Sequence, residues 1–549
     1  MPHFARSKQA MSNGKLALLG DEAVALAAIH SGLSAAYGYP GTPSTEILQY
    51  LIDEHEKGGY AAYWCSNEKT AMEAALGVSF AGRRSIVTMK HVGLNVAADP
   101  FINGALLGIK GGLVIAVADD PGMHSSQNEQ DSRFYSGFAM VPCLEPRNQQ
   151  EAYDMTREAF DISEKFSIPV MLRLVTRLSH ARAAVLPGPA KAQNAVSKTQ
   201  EKNRWMLLPA FARKNYAALI DKQTPLQKWS NSHPVNKLTG EKSDLGVITS
   251  GLGGNYYEEN LDDFIAMRRK QGKKAPVHLH IGTYPLPEQK LRKLCDSVDE
   301  VLVIEEGQSY IAGRLFGAAG SLKPVIQCGE LDPDNVRAAL GLPKRAGISL
   351  KAGNLARELP ARPPQLCQGC PHCDSYETIK RVVASLDPRT GHPDVGVNSD
   401  IGCYSLGASP PYSVPESIVC MGASVGMARG AAEAGLKYSL GIIGDSTFIH
   451  SGITALIDAV EADTPMTLII LDNSSVAMTG CQPTIVSSEN LSRLLLGCGV
   501  KPEHLLELEA KKQLIEENAA KLKAEVEYIG LSVVVFKREC LEAFRKRQK

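Results

Sequence analysis

Short apolar runs alternate with helical patterns along most of the chain, and the alternation predicts α/β domains built on parallel sheets. From Lys15 to about Ala184 such runs fall at residues 34–39, 85–89, 113–117 and 169–174. Runs that are apolar on both strand faces belong to sheets covered by helices on either side, so residues 1–186 are expected to form one doubly wound domain. Over 187–242 the periodicity dissolves into Lys, Gln, Asn and Pro, with Trp205 and Trp229 as anchors, which predicts a packed crossover linker. A smaller α/β domain is expected over 243–345, with strands at 245–249, 277–281 and 301–304 and helices starting at Glu258 and Glu288. Beyond a joint containing Pro360, Pro363 and Pro364, a third domain is expected over 346–549, with strands at 438–443, 467–471 and 531–536.

Composition narrows the function classes. The chain has 549 residues, with 59 Lys+Arg against 59 Asp+Glu, and 44% of it is hydrophobic. A zero net charge lacks the electrostatic footprint that nucleic acid or an anionic membrane demands, so neither is an expected partner. No apolar run is long enough to span a bilayer, and residues 1–20 are polar without an apolar core before a cleavage site, so a cytoplasmic protein is expected. Twelve cysteines in this length are too dilute for a disulfide scaffold, so clustered ones point to metal.

Two constellations carry chemistry. Gly444-Asp445-Ser446 follows a predicted strand directly, and Asn473 follows the next one. Both lie at carboxyl ends of parallel strands, where open α/β sheets hold ligands, and Asp and Asn oxygens suit magnesium shared with a diphosphate. A pair of helix-capping residues has the same spacing. The second constellation is the C-x2-C pair Cys367 and Cys370, joined by Cys403 and Cys540 after separate predicted strands. Four thiolates at one sheet edge suit a structural zinc or an iron-sulfur cluster. Cys373 is a spare that could replace a ligand, and His372 could touch a cofactor or cap a turn. The remaining cysteines, Cys481 among them, read as small buried hydrophobes.

The stretch from Gly444-Asp445-Ser446 to Asn473 resembles the thiamine diphosphate motif, and Thr479-Gly480-Cys481-Gln482 resembles the segment following it in 2-oxoacid:ferredoxin oxidoreductases. Tyr39-Pro40-Gly41-Thr42-Pro43-Ser44 is similar to a substrate-side loop of that family. Asn67-Glu68-Lys69, Met89-Lys90-His91-Val92-Gly93-Leu94-Asn95 and Asp119-Asp120-Pro121-Gly122 resemble its indolepyruvate branch. The resemblance implies a thiamine diphosphate-binding fold: two doubly wound domains, for the pyrimidine (1–186) and the diphosphate (346–549), and a transketolase C-terminal-like domain (243–345). It implies magnesium on the side chains of Asp445 and Asn473 and the backbone carbonyl of Ser475, and a diphosphate held at Gly444 and Ser446. Gly422 and Ser424 of Met421-Gly422-Ala423-Ser424 would lie under the aminopyrimidine, Thr479 would bind cofactor, and Glu68 would activate it. Without the resemblance, Glu68 reads as a first-turn residue answering a helix dipole.

The resemblance further implies a 4Fe-4S cluster on Cys367, Cys370, Cys403 and Cys540, although the family usually has Arg where Cys373 stands. Thr42, His91 and Asn95 are the expected substrate groups, with His124 also a pocket candidate. The expected reaction converts a 2-oxoacid, an arylpyruvate by likeness, and coenzyme A to acyl-CoA. Expected partners are a small catalytic subunit and, because the family's C-terminal ferredoxin-like cysteine runs are missing from this sequence, a separate ferredoxin, iron-sulfur or flavin protein, in a dimer of heteromers. A non-redox thiamine diphosphate-dependent decarboxylase and a catalytically silent scaffold are the competing readings.

Overall fold

The computed structural model describes residues 14–315 apart from Lys198 and Lys202, then 322–325, 329–345, 365–389 and 391–548. The Pro-rich joint and Cys328 lie outside these residues. Two compact units result, Met1–Leu350 and Lys351–Lys549.

The first unit contains a seven-stranded sheet in the spatial order Thr283–Tyr284, Cys143–Leu144, Val170–Val175, Leu113–Asp119, Ser85–Lys90, Ala35–Gly38 and Ala61–Trp64. All neighbours run parallel except the first pair. Alternate side chains of each central strand enter opposite faces. Ile86, Val114, Ala116 and Leu172 pack with helices Gly20–His30, Thr45–Gly58 and Gln149–Phe166, while Val87, Met89, Ile115 and Val117 pack with helices Glu68–Phe80 and His91–Leu107. Both faces are thus apolar, which is why these strands read as continuous hydrophobic runs rather than alternating ones.

A five-stranded sheet completes this unit, with Glu300–Ile304, Leu245–Ser250 and Val277–Ile281 parallel at its centre. Its edge strand Lys237–Thr239 comes from the segment expected to be a crossover linker, which also supplies helices Pro209–Asp221 and Gln223–Ser232. The segment's polar composition reflects exposed helix faces, and only Leu219, Leu226 and Ser230 of those helices are buried.

The two sheets of this unit are joined by buried ions that no sequence pattern announces. Arg173 donates to Asp119 at 2.7 Å and pairs with Glu145, while Arg133 donates to Asp131 at 2.9 Å and pairs with Glu305 at 3.1 Å. Tyr284 donates to Glu145 at 2.5 Å. Removing one member strands the others without water. Arg173→Met is therefore expected to lower the unfolding free energy by about 3–5 kcal/mol, measured by denaturant titration of the isolated chain.

The second unit is a six-stranded, wholly parallel sheet ordered Ser417–Ile418, Val395–Ser399, Tyr438–Gly444, Thr467–Asp472, Ser532–Lys537 and Leu505–Glu509. Helices Pro371–Leu386 and Ile515–Glu527 cover one face, and Ala423–Glu433, Ile453–Glu461 and Ser488–Gly497 the other. Among the described residues no helix is long and apolar enough to cross a membrane.

Candidate active site

In the second unit, strand Tyr438–Gly444 runs beside Thr467–Asp472 with Gly444 opposite Leu471, so Asp445 and Asp472 emerge together at the carboxyl edge. Both carboxylates are buried, and each has one oxygen, Oδ2, without a hydrogen-bond partner. Burial first, and then the Asp472 charge, push the Asp445 carboxyl well above the usual carboxylate range, while the backbone amides of Ser446 and Asn473 oppose them. Two buried acids with open oxygens are unfavourable until a cation joins them. This donor set fits magnesium, a hard ion that takes oxygen ligands.

Asn473 is oriented for the same purpose. Its Nδ2 donates to His372 Nε2 at 3.2 Å, and its Oδ1 accepts from the Ser475 amide at 3.1 Å. Burial lowers the His372 pKa to about 4, so the imidazole is neutral near pH 7 and accepts at Nε2, which fixes which way the Asn473 amide faces. Ser475 is buried and starts the short strand Ser475–Val476, which pairs with Gln482–Pro483. Thr479 lies in the intervening turn, where its hydroxyl donates to Gln482 Oε1 at 2.6 Å. Asp445, Asn473 and Ser475 are brought together, whereas the Thr479 hydroxyl is engaged within its own turn.

Gly422 sits at φ 87 before helix Ala423–Glu433, and a Cβ there would lie 2.7 Å from the Ser451 side chain. Ser424 Oγ donates to Asp400 Oδ2 at 2.6 Å, and Tyr404 donates to the other oxygen of that carboxylate. Burial raises Asp400 to about 6 against the Ser424 and Tyr404 hydrogen bonds. Tyr404 also lies against Gly444, where a Cβ would meet its ring at 2.6 Å. Asp400, Tyr404 and Asp472 were missed in the sequence. An Asp three residues before Cys403, just past the end of a strand, and another directly before Asn473, ending one, were the available signals.

The cysteines gather in the same unit. Cys370 precedes helix Pro371–Leu386, Cys403 opens the 3-10 turn Cys403–Ala408, and Cys540 precedes helix Leu541–Arg547. Burial raises Cys370 to about 12, with Cys373, Cys403 and Cys367 adding to the effect. Burial likewise raises Cys403 to about 12, helped by Cys540 and Cys367. Cys370 and Cys403 thus share Cys367 as a neighbour. Tetrahedral zinc at about 2.3 Å from sulfur would hold the sulfurs roughly 3.8 Å apart. Among the described residues, no three ligand atoms of this group lie within 4.8 Å of one another. An all-thiolate set fits an iron-sulfur cluster.

Cys481 departs from its expected role as an inert buried hydrophobe. It is only half-buried, at φ 64, and its thiol hydrogen-bonds Cys540, lowering the latter to about 6. The amide of Cys540 donates to the Asn473 carbonyl at 3.0 Å, so the cysteine group and the acid pair share a backbone link.

The first unit holds the remaining candidates at the carboxyl edge of its large sheet. Glu68 is buried in the first turn of helix Glu68–Phe80, after the N-cap Asn67, whose side chain accepts from the Thr70 amide at 2.9 Å. Its carboxyl lies over Gly93, where a Cβ would come within 2.4 Å of Oε1, so the close approach requires glycine. Burial lowers the pKa of Lys90, while the nearby Asp120 and Glu68 charges hold it up. Thr42 is half-buried, next to Gly41, which packs on the Lys90 side chain.

His91 is buried, with Nε2 at 3.2 Å from both Asn128 oxygens and Nδ1 unpartnered. Both neighbours are acceptors, so Nε2 is the nitrogen that donates. Asn95 is exposed and accepts from Tyr135 at 2.7 Å. His124 is not a walled pocket group, because its side chain is 52% exposed and meets Glu330 at 3.2 Å.

Residues 26–238 match the family described as pyruvate flavodoxin/ferredoxin oxidoreductase, thiamine diphosphate-binding, and residues 400–511 match the thiamine pyrophosphate enzyme C-terminal binding domain. The indolepyruvate oxidoreductase subunit IorA of Archaeoglobus fulgidus is 36% identical over 556 residues, spanning 96% of this chain and 86% of the relative. The subunit of the same name from Methanothermobacter marburgensis is 40% identical over 490 residues, spanning 85% and 76% respectively. A 2-oxoglutarate:ferredoxin oxidoreductase structure from Magnetococcus marinus superposes with TM-score 0.50 at 16% identity, over 60% of this chain and 65% of that one, a likeness of fold. With relatives this similar over nearly its whole length, the chain belongs to the 2-oxoacid:ferredoxin oxidoreductase family and is an oxidoreductase on a thiamine diphosphate-binding fold.

Proposed function

We propose that the chain carries out thiamine diphosphate-dependent oxidative decarboxylation of a 2-oxoacid, an arylpyruvate as the names of its relatives suggest, to acyl-CoA. The observation that carries this reading is the acid pair Asp445 and Asp472, buried at a parallel-sheet edge with one open oxygen each. Asp445, Asn473 and the Ser475 carbonyl would hold Mg2+, Gly444 and Ser446 the diphosphate, and Gly422 and Ser424 the aminopyrimidine side. Cys367, Cys370, Cys403 and Cys540 would hold a 4Fe-4S cluster. When bound, the coenzyme supplies a carbon nucleophile that stabilises the charge left by departing carbon dioxide, and the cluster takes electrons singly.

The chain's own residues then bind, orient and hold protons. His372 keeps the Asn473 amide turned, and the Tyr404–Asp400–Ser424 bonds fix the loop at Gly422. Glu68 would hold a proton for the pyrimidine ring, a task for which its burial over Gly93 excludes bulk water. Lys90 and Thr42 offer a cation and a hydroxyl for a substrate carboxylate, with His91 and Asn95 beyond them. In the balance, the carboxyl carbon leaves as carbon dioxide, the acyl group forms a thioester with coenzyme A whose thiol proton is released to solvent, and two electrons pass to an acceptor. We assign that acceptor to a separate ferredoxin, iron-sulfur or flavin partner, with a small catalytic subunit completing the enzyme.

An anaerobic assay of the complex against a panel of 2-oxoacids, with coenzyme A and a one-electron dye, tests this. Arylpyruvate-dependent dye reduction is expected, and Glu68→Gln is expected to lower kcat by about 10²–10⁴-fold. Release of free aldehyde without dye reduction would replace the proposal with the non-redox reaction.

A further inference from the structure

Away from this machinery, three side chains of the first unit converge from separate elements. Asp21 is the second residue of helix Gly20–His30, Glu46 the second of helix Thr45–Gly58, and His180 the last of helix Thr176–His180. One ligand atom of each lies within 4.8 Å of the others. The convergence is built into the backbone: a Cβ on Gly20 would lie 2.3 Å from the Leu178 carbonyl oxygen, so only glycine lets the first helix start against the segment that ends in His180.

Asp21 is fully buried, and although the Ser179 hydroxyl lies near enough to ease its charge, neither carboxylate oxygen completes a hydrogen bond, and burial and the Glu46 charge outweigh that help. Two acids beginning adjacent helices gain from the helix dipoles, but that gain of about 1 kcal/mol or less does not offset an unpartnered buried carboxylate beside a second one. Glu46 Oε2 stands 3.5 Å from His180 Nε2, and the side chains of Glu46 and His180 are 35% and 36% exposed, leaving a way in from solvent.

We propose that Asp21, Glu46 and His180 bind a divalent transition-metal ion, with two carboxylate oxygens and one imidazole nitrogen as ligands. The donor set suits manganese or zinc, and solvent can supply the remaining positions. Glu46 lies two residues beyond Ser44, so the ion would clamp the helix that follows the Thr42 loop to the helix starting at Gly20.

Manganese titration of the full chain without thiamine diphosphate, followed by electron paramagnetic resonance of the free ion, tests the site. One tight ion per chain is expected, and Asp21→Asn and His180→Ala should each weaken it by at least about tenfold, while Asp445→Asn leaves it unchanged. Because Asp21→Asn keeps the side chain's size, its circular dichroism and melting curve verify folding. Wild-type protein that takes up no manganese overturns the site, as do variants that titrate like wild type. Uptake lost only with Asp445→Asn also overturns it. A higher melting temperature in Asp21→Asn with no manganese effect on wild type would instead identify two carboxyl groups sharing a proton, and would overturn the metal.

Discussion

Asp445→Asn is expected to abolish thiamine diphosphate binding and stabilise the cofactor-free chain. The two effects share one cause. In the cofactor-free chain the Asp445 carboxyl is buried beside Asp472 with an open oxygen, and its pKa is raised well above the ordinary value. A carboxyl that binds its proton more tightly when folded loses stability for the fold as pH rises from the ordinary carboxylate range, near 4, toward the raised folded pKa. An uncharged amide removes that penalty. The gain at neutral pH is expected to be about 1–3 kcal/mol, or several degrees in the melting temperature of the cofactor-free protein, and to vanish below about pH 4. With the coenzyme the ranking is expected to reverse, because the lost charge is the one proposed to face magnesium. Turnover is expected to fall by about 10²–10³-fold or more, the rate equivalent of several kcal/mol of metal-dependent stabilisation. Paired melting curves with and without thiamine diphosphate and magnesium measure both halves. A variant no more stable than wild type in the cofactor-free state, yet still stabilised by the coenzyme, would refute this account of the acid pair.

The strands of both large sheets were legible in the sequence because burial on both faces writes a continuous apolar run, as at Leu113–Asp119 and Thr467–Asp472. Residues at the ends of such runs were legible too: Asp445, Asn473, Cys403 and Cys540 all follow strands. What stayed hidden depends on distant partners. Arg133 and Arg173 resemble surface cations in sequence, and only the packing of two sheets makes them buried counter-ions. Strand Lys237–Thr239 is polar because it lies at an edge, so its pattern matches a linker. His372 could be noticed but not assigned, because its role rests on Asn473, which lies 101 positions away. Cys481 read as packing because its contact with Cys540 is made by a turn whose geometry, with φ 64 at Cys481, no periodicity reveals.

Single serine replacements of Cys367, Cys370, Cys403 and Cys540 are each expected to remove the iron and the broad visible absorption of anaerobically purified protein. Serine at Cys373 or Cys481 should leave both in place. The contrast rests on the assigned ligand set. Cys370 and Cys403 each feel the charge of Cys367, and Cys403 also feels Cys540. Cys373 is a neighbour of Cys370 as well, but its thiol is engaged with the Cys367 carbonyl at 3.9 Å and with Tyr412. Cys481 touches only the Cys540 side of the group, as a hydrogen-bond neighbour to its sulfur. Loss of Cys481 therefore removes a hydrogen bond to the sulfur of Cys540, a proposed ligand. A changed reduction potential with full iron content is expected, since hydrogen bonds to cluster sulfurs tune potential. If the four sulfurs hold the proposed cluster, purified protein should carry several irons and inorganic sulfide rather than one colourless zinc ion. Metal and sulfide analysis of the six variants decides the matter. Iron retained in Cys403→Ser but lost in Cys373→Ser would show that Cys373 is a ligand, and one zinc without sulfide would remove the electron path and leave the non-redox reaction in its place.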